Sequence, residues 1–211
     1  MDTGQWLVIG LCAFLLLWYL IGWLFNRRRG HAVLVWLKTG LGTLGKPGDT
    51  RWLSPLHSSA QVIVAEAHSP FRKVGGVFVL EPRENLPVWA FRHALGRRDE
   101  LYLRADLRST PAQEIEVARK GRSEIAALVK PGKDDPYLLL PGTDVFNLAR
   151  RGKIDDQVVE RVKVFLTTYE DAVLRLSIQR SSPHLIVRAR LSPLQTGSCE
   201  QFIAALQAAL K

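Results

Sequence analysis

From Trp6 to Phe25 the chain reads WLVIGLCAFLLLWYLIGWLF, 20 residues without a single charge. As an α-helix such a run is about 30 Å long, the thickness of the hydrocarbon core of a bilayer. It predicts one membrane-spanning helix. Trp6 near one end, with Trp18, Tyr19 and Trp23 near the other, suits the two headgroup interfaces, where amphipathic rings prefer to lie.

The flanks of the run decide between related readings. A cleaved signal peptide needs a basic start and a small-residue cleavage site, whereas this segment begins MDTGQ and runs from Phe25 into NRRRG. A lipoprotein signal needs a small residue just before its cysteine, and Cys12 follows Leu11. Arg27, Arg28 and Arg29 stand directly after the apolar run and nothing basic precedes it. The positive-inside rule then keeps the C-terminal side in the cytoplasm and the N-terminus outside. The expected localisation is the cell membrane, single-pass, with Trp6, Trp23 and Trp36 and the three arginines at the membrane interfaces.

The stretch GLGTLGKPGDT, residues 40–50, fits a dinucleotide fingerprint and nearly fits a phosphate-binding loop. Both patterns function because a strand delivers the glycines and a helix opens straight after them, aiming its free N–H groups at phosphate. Here Pro47, Gly48 and Asp49 follow, which punctuate a loop. No nucleotide or other cofactor is expected. The preferred reading of residues 31–59 is a juxtamembrane connector, with HAVLVWLK at the interface and a flexible glycine linker behind it.

A chain of 211 residues, 47% hydrophobic and 23% charged, has the composition of a folded protein. Residues 60–211 read as a soluble α+β domain with a mainly antiparallel sheet and packed helices. AQVIVAEA and VGGVFVLEP are Val-rich strands that pair as a hairpin. LPVWAFRHALG permits a short helix with Pro87 in its first turn and Gly96 as its stop, and Val88, Trp89 and Phe91 also permit a strand. In ELYLRADLR, Leu101, Leu103, Ala105 and Leu107 alternate with polar residues, the pattern of a half-buried strand. The turn RSTP should return this strand into QEIEVAR, and SEIAALV should form a short helix. YLLL reads as a short buried strand. DDQVVERVKVFLTTYE places Val158, Val162, Phe165 and Tyr169 at helical spacing, with the paired acids Asp155 and Asp156 at its start. A second hairpin turns at RSSP, and SCEQFIAALQAALK is a helix whose Ser198 and Gln201 sit in capping-box positions. Helix, hairpin and helix thus recur, suggesting two halves, 60–132 and 133–211. Aligning Pro111 with Pro183, however, puts Leu103 opposite Arg175.

Catalytic spacing is missing. The five histidines form no H-x-x-x-H, the two cysteines no CxxC and no G-x-S-x-G occurs, so neither a metal site nor a nucleophile elbow is indicated. Cys199 falls in the first turn of a helix, a place that favours thiolate, without a histidine signature beside it.

Charge is the remaining clue. The formal net charge is +9; three arginines against Asp2 give residues 1–30 a net +2 and leave +7 on the rest. The first expected hairpin mixes Arg104 and Arg108 with Asp106, Glu114 and Glu116, whereas Arg175, Arg188 and Arg190 share their two strands with no acid. These three are the candidate surface for anionic lipid headgroups or an acidic protein partner. Nucleic acid is disfavoured, because the basic strands lack aromatic residues for base stacking. The expected function is a membrane-tethered cytosolic interaction or accessory module without catalysis of its own. The alternative is an enzyme whose site, assembled from distant positions, carries no motif.

Overall fold

The computed structural model describes residues 2–120, 137–152 and 155–210. The apolar run is part of a much longer element. Helix α1 extends from Thr3 to Gly42 without a break, since no proline interrupts the chain before Pro47. It is long and apolar enough to cross a membrane. Residues 31–42, expected to rest at the interface and lead into a flexible linker, instead continue this helix into the domain. Its buried residues Gly22, Asn26, Gly30, Val33, Leu37, Gly40 and Leu41 recur every three or four positions, which at 3.6 residues per turn makes one stripe along one face. At Gly22 an added Cβ would lie 2.4 Å from the carbonyl oxygen of Arg83, and at Gly40 2.1 Å from the sulfur of Cys199. Only glycine permits either approach.

The strands of the described residues form one nine-stranded sheet, every pairing antiparallel. They are β1 (Thr50–Trp52), β2 (Ser59–Val64), β3 (Phe71–Val79), β4 (Glu100–Leu107), β5 (Gln113–Arg119), β6 (Leu138–Leu140), β7 (Phe146–Gly152), β8 (Val173–Ile178) and β9 (Leu185–Arg190). Their spatial order is β1-β2-β3-β4-β9-β8-β5-β7-β6. The architecture is α+β, as the element pattern implies.

Two hairpins form as expected, β2 with β3 and β8 with β9. The RSTP turn does not close a third. β4 pairs with β3 and β9, and β5 pairs with β8 and β7. The β8–β9 hairpin therefore lies between β4 and β5, and the expected repeat of helix, hairpin and helix is not formed. Alternation of apolar residues shows that a strand has one buried face, but not which strand borders it. β6, read as a buried strand, is at the sheet edge with Leu138 and Leu139 exposed. The expected helix 123–129 lies outside the described residues.

Helices cover one face of the sheet. The others are α2 (Leu86–Ala94), α3 (Asp156–Thr168), the single turn α4 (Leu191–Leu194) and α5 (Cys199–Leu210). α5 packs between α1 and α3, and the three close one core with Leu101, Leu103, Ile115, Val117, Leu148, Leu176 and Val187 of the sheet. Asp155 caps α3 by accepting from the backbone of Gln157 and Val158. Ser198 and Gln201 exchange the paired hydrogen bonds of a capping box at α5.

Candidate functional site

Two polar assemblies stand out. The first is the junction where α1 meets the segment 81–99, which carries α2. Asn26 is fully buried; its amide donates to the carbonyl of Glu81 at 2.9 Å and to the Glu84 carboxylate at 2.7 Å, and its oxygen accepts from Arg83 at 3.2 Å. Asp99, also buried, accepts from Arg29 Nε at 2.7 Å, from both terminal nitrogens of Arg83 at 3.0 and 3.1 Å and from the backbone N–H of Glu81 at 2.8 Å. Burial alone would raise the Asp99 pKa, but the hydrogen bonds from Arg83, Glu81 and Arg29 hold it below the ordinary carboxylate value. The Glu81 carboxylate accepts from Arg83 at 3.0 Å and lies 3.0 Å from His93 Nδ1. On the far side of Gly22, Trp18 Nε1 donates to the carbonyl of Arg83 at 2.9 Å. Asn26, Asp99 and the Glu81 carboxylate are each held by several partners, so the cluster is a lock that fixes α1 to the domain.

This lock absorbs part of the expected interface set. Arg29 is engaged with Asp99. Arg27 stays on its own helix with its guanidinium 5.4 Å from the Trp23 ring centre. Arg28 borders a cleft of about 600 Å³ with Ile21, Leu24, Phe25 and Gln195. Trp6 is exposed at the outer end of α1. Trp36, expected as a membrane anchor, instead donates to the carbonyl of Gly197 at 3.2 Å and packs against the core.

The second assembly is on the face of the sheet opposite α1, α3 and α5. Arg175 and Arg188 oppose each other in register, and Glu100 opposes Arg190, so all three arginines share this face. Arg188 and Arg175 are paired with acids. Arg188 makes a two-pronged contact with Glu100, 2.9 Å at each prong, and Arg175 meets Glu116 at 3.2 Å. Glu116 also accepts from Ser177 and Gln179. Farther along, Glu114 pairs with Arg151 at 2.6 Å and accepts from the Tyr137 hydroxyl at 2.8 Å. The acids thought to neutralise the first hairpin serve the second, because the β8–β9 hairpin is inserted between the strands that carry them. Burial would raise Glu100 and Glu114, yet Arg188 and Tyr102 for one, Tyr137, the Arg180 N–H and Arg151 for the other, hold both carboxyls low. Burial together with Glu114 pushes the Tyr137 hydroxyl well above the ordinary phenol.

Other sequence candidates resolve individually. Around residues 40–50 the order of elements is the reverse of a phosphate loop, since a helix ends there and a strand follows. Cys199 is buried, and burial first, then Glu200, pushes its thiol up to about 12, which removes the expected thiolate. Among the described residues no group of three His, Cys, Asp or Glu side chains is placed to hold a metal ion. The junction was missed because its members are 73 residues apart in sequence, from Asn26 to Asp99. Its one local signal is the four-residue spacing of Gly22, Asn26 and Gly30, small residues that let another backbone come close.

No family model matches the chain, and no curated protein shows significant similarity to it.

Proposed function

We propose that this protein is a single-pass membrane protein whose cytosolic α+β domain serves as an interaction or accessory module, without chemistry of its own. The observation that carries the reading is the division of α1: its outer half exposes Leu7, Val8, Leu11 and Leu16, while its inner half supplies Val33, Leu37 and Leu41 to the core. A soluble protein would leave that apolar half in water, at about 25 cal/mol per Å² of exposed apolar surface. The arginines at positions 27 and 28 on the domain side support a cytosolic domain by the positive-inside rule. The exposed part of the sheet face opposite α1, α3 and α5 is the surface offered to a partner. Its carboxylate–arginine pairs favour a protein of mixed charge over a polyanion, since paired charges leave little field to attract one sign.

The test is membrane topology in cells. With a reporter fused after Lys211, the protein should resist alkaline extraction from membranes and the reporter should be active in the cytoplasm. Release into the soluble fraction would refute the span, and activity only outside the cell would refute the orientation.

A further inference from the structure

We propose that α2 is a second membrane contact: an interfacial helix lying in the headgroup region beside α1, which holds the domain against the leaflet at a fixed height and rotation. This rests on the reading of α1 as a membrane span.

Depth is the first argument. Trp18, Gly22 and Asn26 are one turn apart on one face of α1, and all three meet the segment that leads into α2. The Trp89 ring of α2 lies 5.6 Å from the Trp18 ring. Trp18 is seven residues before Phe25, the end of the charge-free run. At about 1.5 Å per residue this puts the contact about 10 Å to the membrane side of that end. Interfacial helices are buried by about 5–10 Å at the headgroup and acyl boundary. The domain does not hang below the membrane; its edge overlaps the interface.

The surface of α2 is the second argument. Although it is a nine-residue helix attached to a folded domain, none of its residues is buried. Val88, Phe91 and the capping residue Leu95 are 42%, 67% and 65% exposed. They recur at i, i+3 and i+7, a single apolar stripe. Exposed Arg92, Arg97 and Arg98 stand beside it, whereas the neighbouring acids Glu81 and Asp99 are buried and already paired. An apolar stripe with exposed cations at its edge, of which Arg97 also faces Glu100, matches the acyl boundary and anionic headgroups of a phospholipid leaflet. Continuity with the exposed apolar half of α1 selects lipid over a second copy of the chain.

The proposal is tested on the full chain, carrying Cys12→Ala, in vesicles of phosphatidylcholine and phosphatidylglycerol. Phe91→Cys and Leu95→Cys carry an environment-sensitive fluorophore, with Phe14→Cys in the span and Val164→Cys on α3 as references. Buried Cys199 should not label. Nitroxide lipids labelled near the headgroup should quench positions 91 and 95 several-fold more than aqueous iodide does, while position 164 responds to iodide alone. Quenching of 91 and 95 by iodide only, with 14 still quenched by lipid, overturns the interfacial helix and leaves the span intact. Protection of 91 and 95 from both quenchers means that protein covers them and overturns it equally. If position 14 is not quenched by lipid, the membrane span itself fails and this inference with it.

Discussion

Residues 3–25 and 26–42 lie on one unbroken helix axis, yet the first half exposes its apolar side chains and the second buries most of its own. The difference is in the polar residues. In the inner half Arg27, Arg28, His31, Lys38 and Thr39 occupy most of the exposed positions, with Val33, Leu37 and Leu41 on a separate face. The outer half has no polar side chain between Trp6 and Phe25 apart from its aromatic tips and Cys12, so most of its circumference suits a single solvent. Apolar content alone does not tell a core from a membrane. The distribution around the helix sets the two halves apart.

The strongest way to break this comparison is a matched truncation. Leu37→Ala removes a fully buried side chain and should destabilise the domain by about 2–5 kcal/mol. Leu17→Ala, on the exposed outer half, should change domain unfolding by no more than about 0.5 kcal/mol. Chemical unfolding in mild detergent, followed by circular dichroism, reads both. Equal losses would mean that the two halves share one environment.

A smaller effect sharpens the boundary between the halves. Asp99→Asn removes the acceptor charge shared by Arg29 and Arg83 and should cost about 1–3 kcal/mol. Asp99, Glu100 and Glu114 all have folded pKa values below their ordinary values of 3.8, 4.5 and 4.5. Their contribution is therefore present above about pH 4.5 and is lost as the pH falls through the lower folded values. Unfolding of the unaltered chain should steepen below pH 4.5, and Asp99→Asn should flatten that dependence. An identical pH profile in both proteins would show that the junction carboxylate is not stabilising.

The smallest effect concerns the outermost polar contact. Trp18→Phe keeps an aromatic ring beside Trp89 but loses the donor to the Arg83 carbonyl, a change of about 0.5–1.5 kcal/mol. Hydrogen exchange should quicken in α2 and leave the central strands unaltered. Unchanged exchange in α2 would separate that helix from α1.

Much of the element list was legible because each element carries its own period. β4 alternates at two and α3 repeats at three to four, and both form where those patterns lie. The order of strands was not legible, since Leu101, Leu103 and Ala105 require a buried face and are indifferent to whether β5 or β9 borders them. The pairing of Arg188 with Glu100 across 88 residues follows from that order, which is why the basic surface looked unbalanced in the sequence. The glycine stretch misled in a different way. Gly40 and Gly42 are separated from the next proline by a further turn, and in a helix already anchored by Leu37 and Leu41 they continue it instead of loosening it.

The continuity of α1 gives the molecule a mechanical property. Between Phe25 and Leu44 the helix and its closing turn reach about 30 Å beyond the apolar run. A membrane helix tilts by about 20° on average, and more when its apolar length exceeds the bilayer thickness. With no hinge along the rod, a 20° tilt carries the far side of the domain sideways by about 10 Å. In the proposed single-pass arrangement, bilayer thickness would thereby be converted into lateral displacement of the domain.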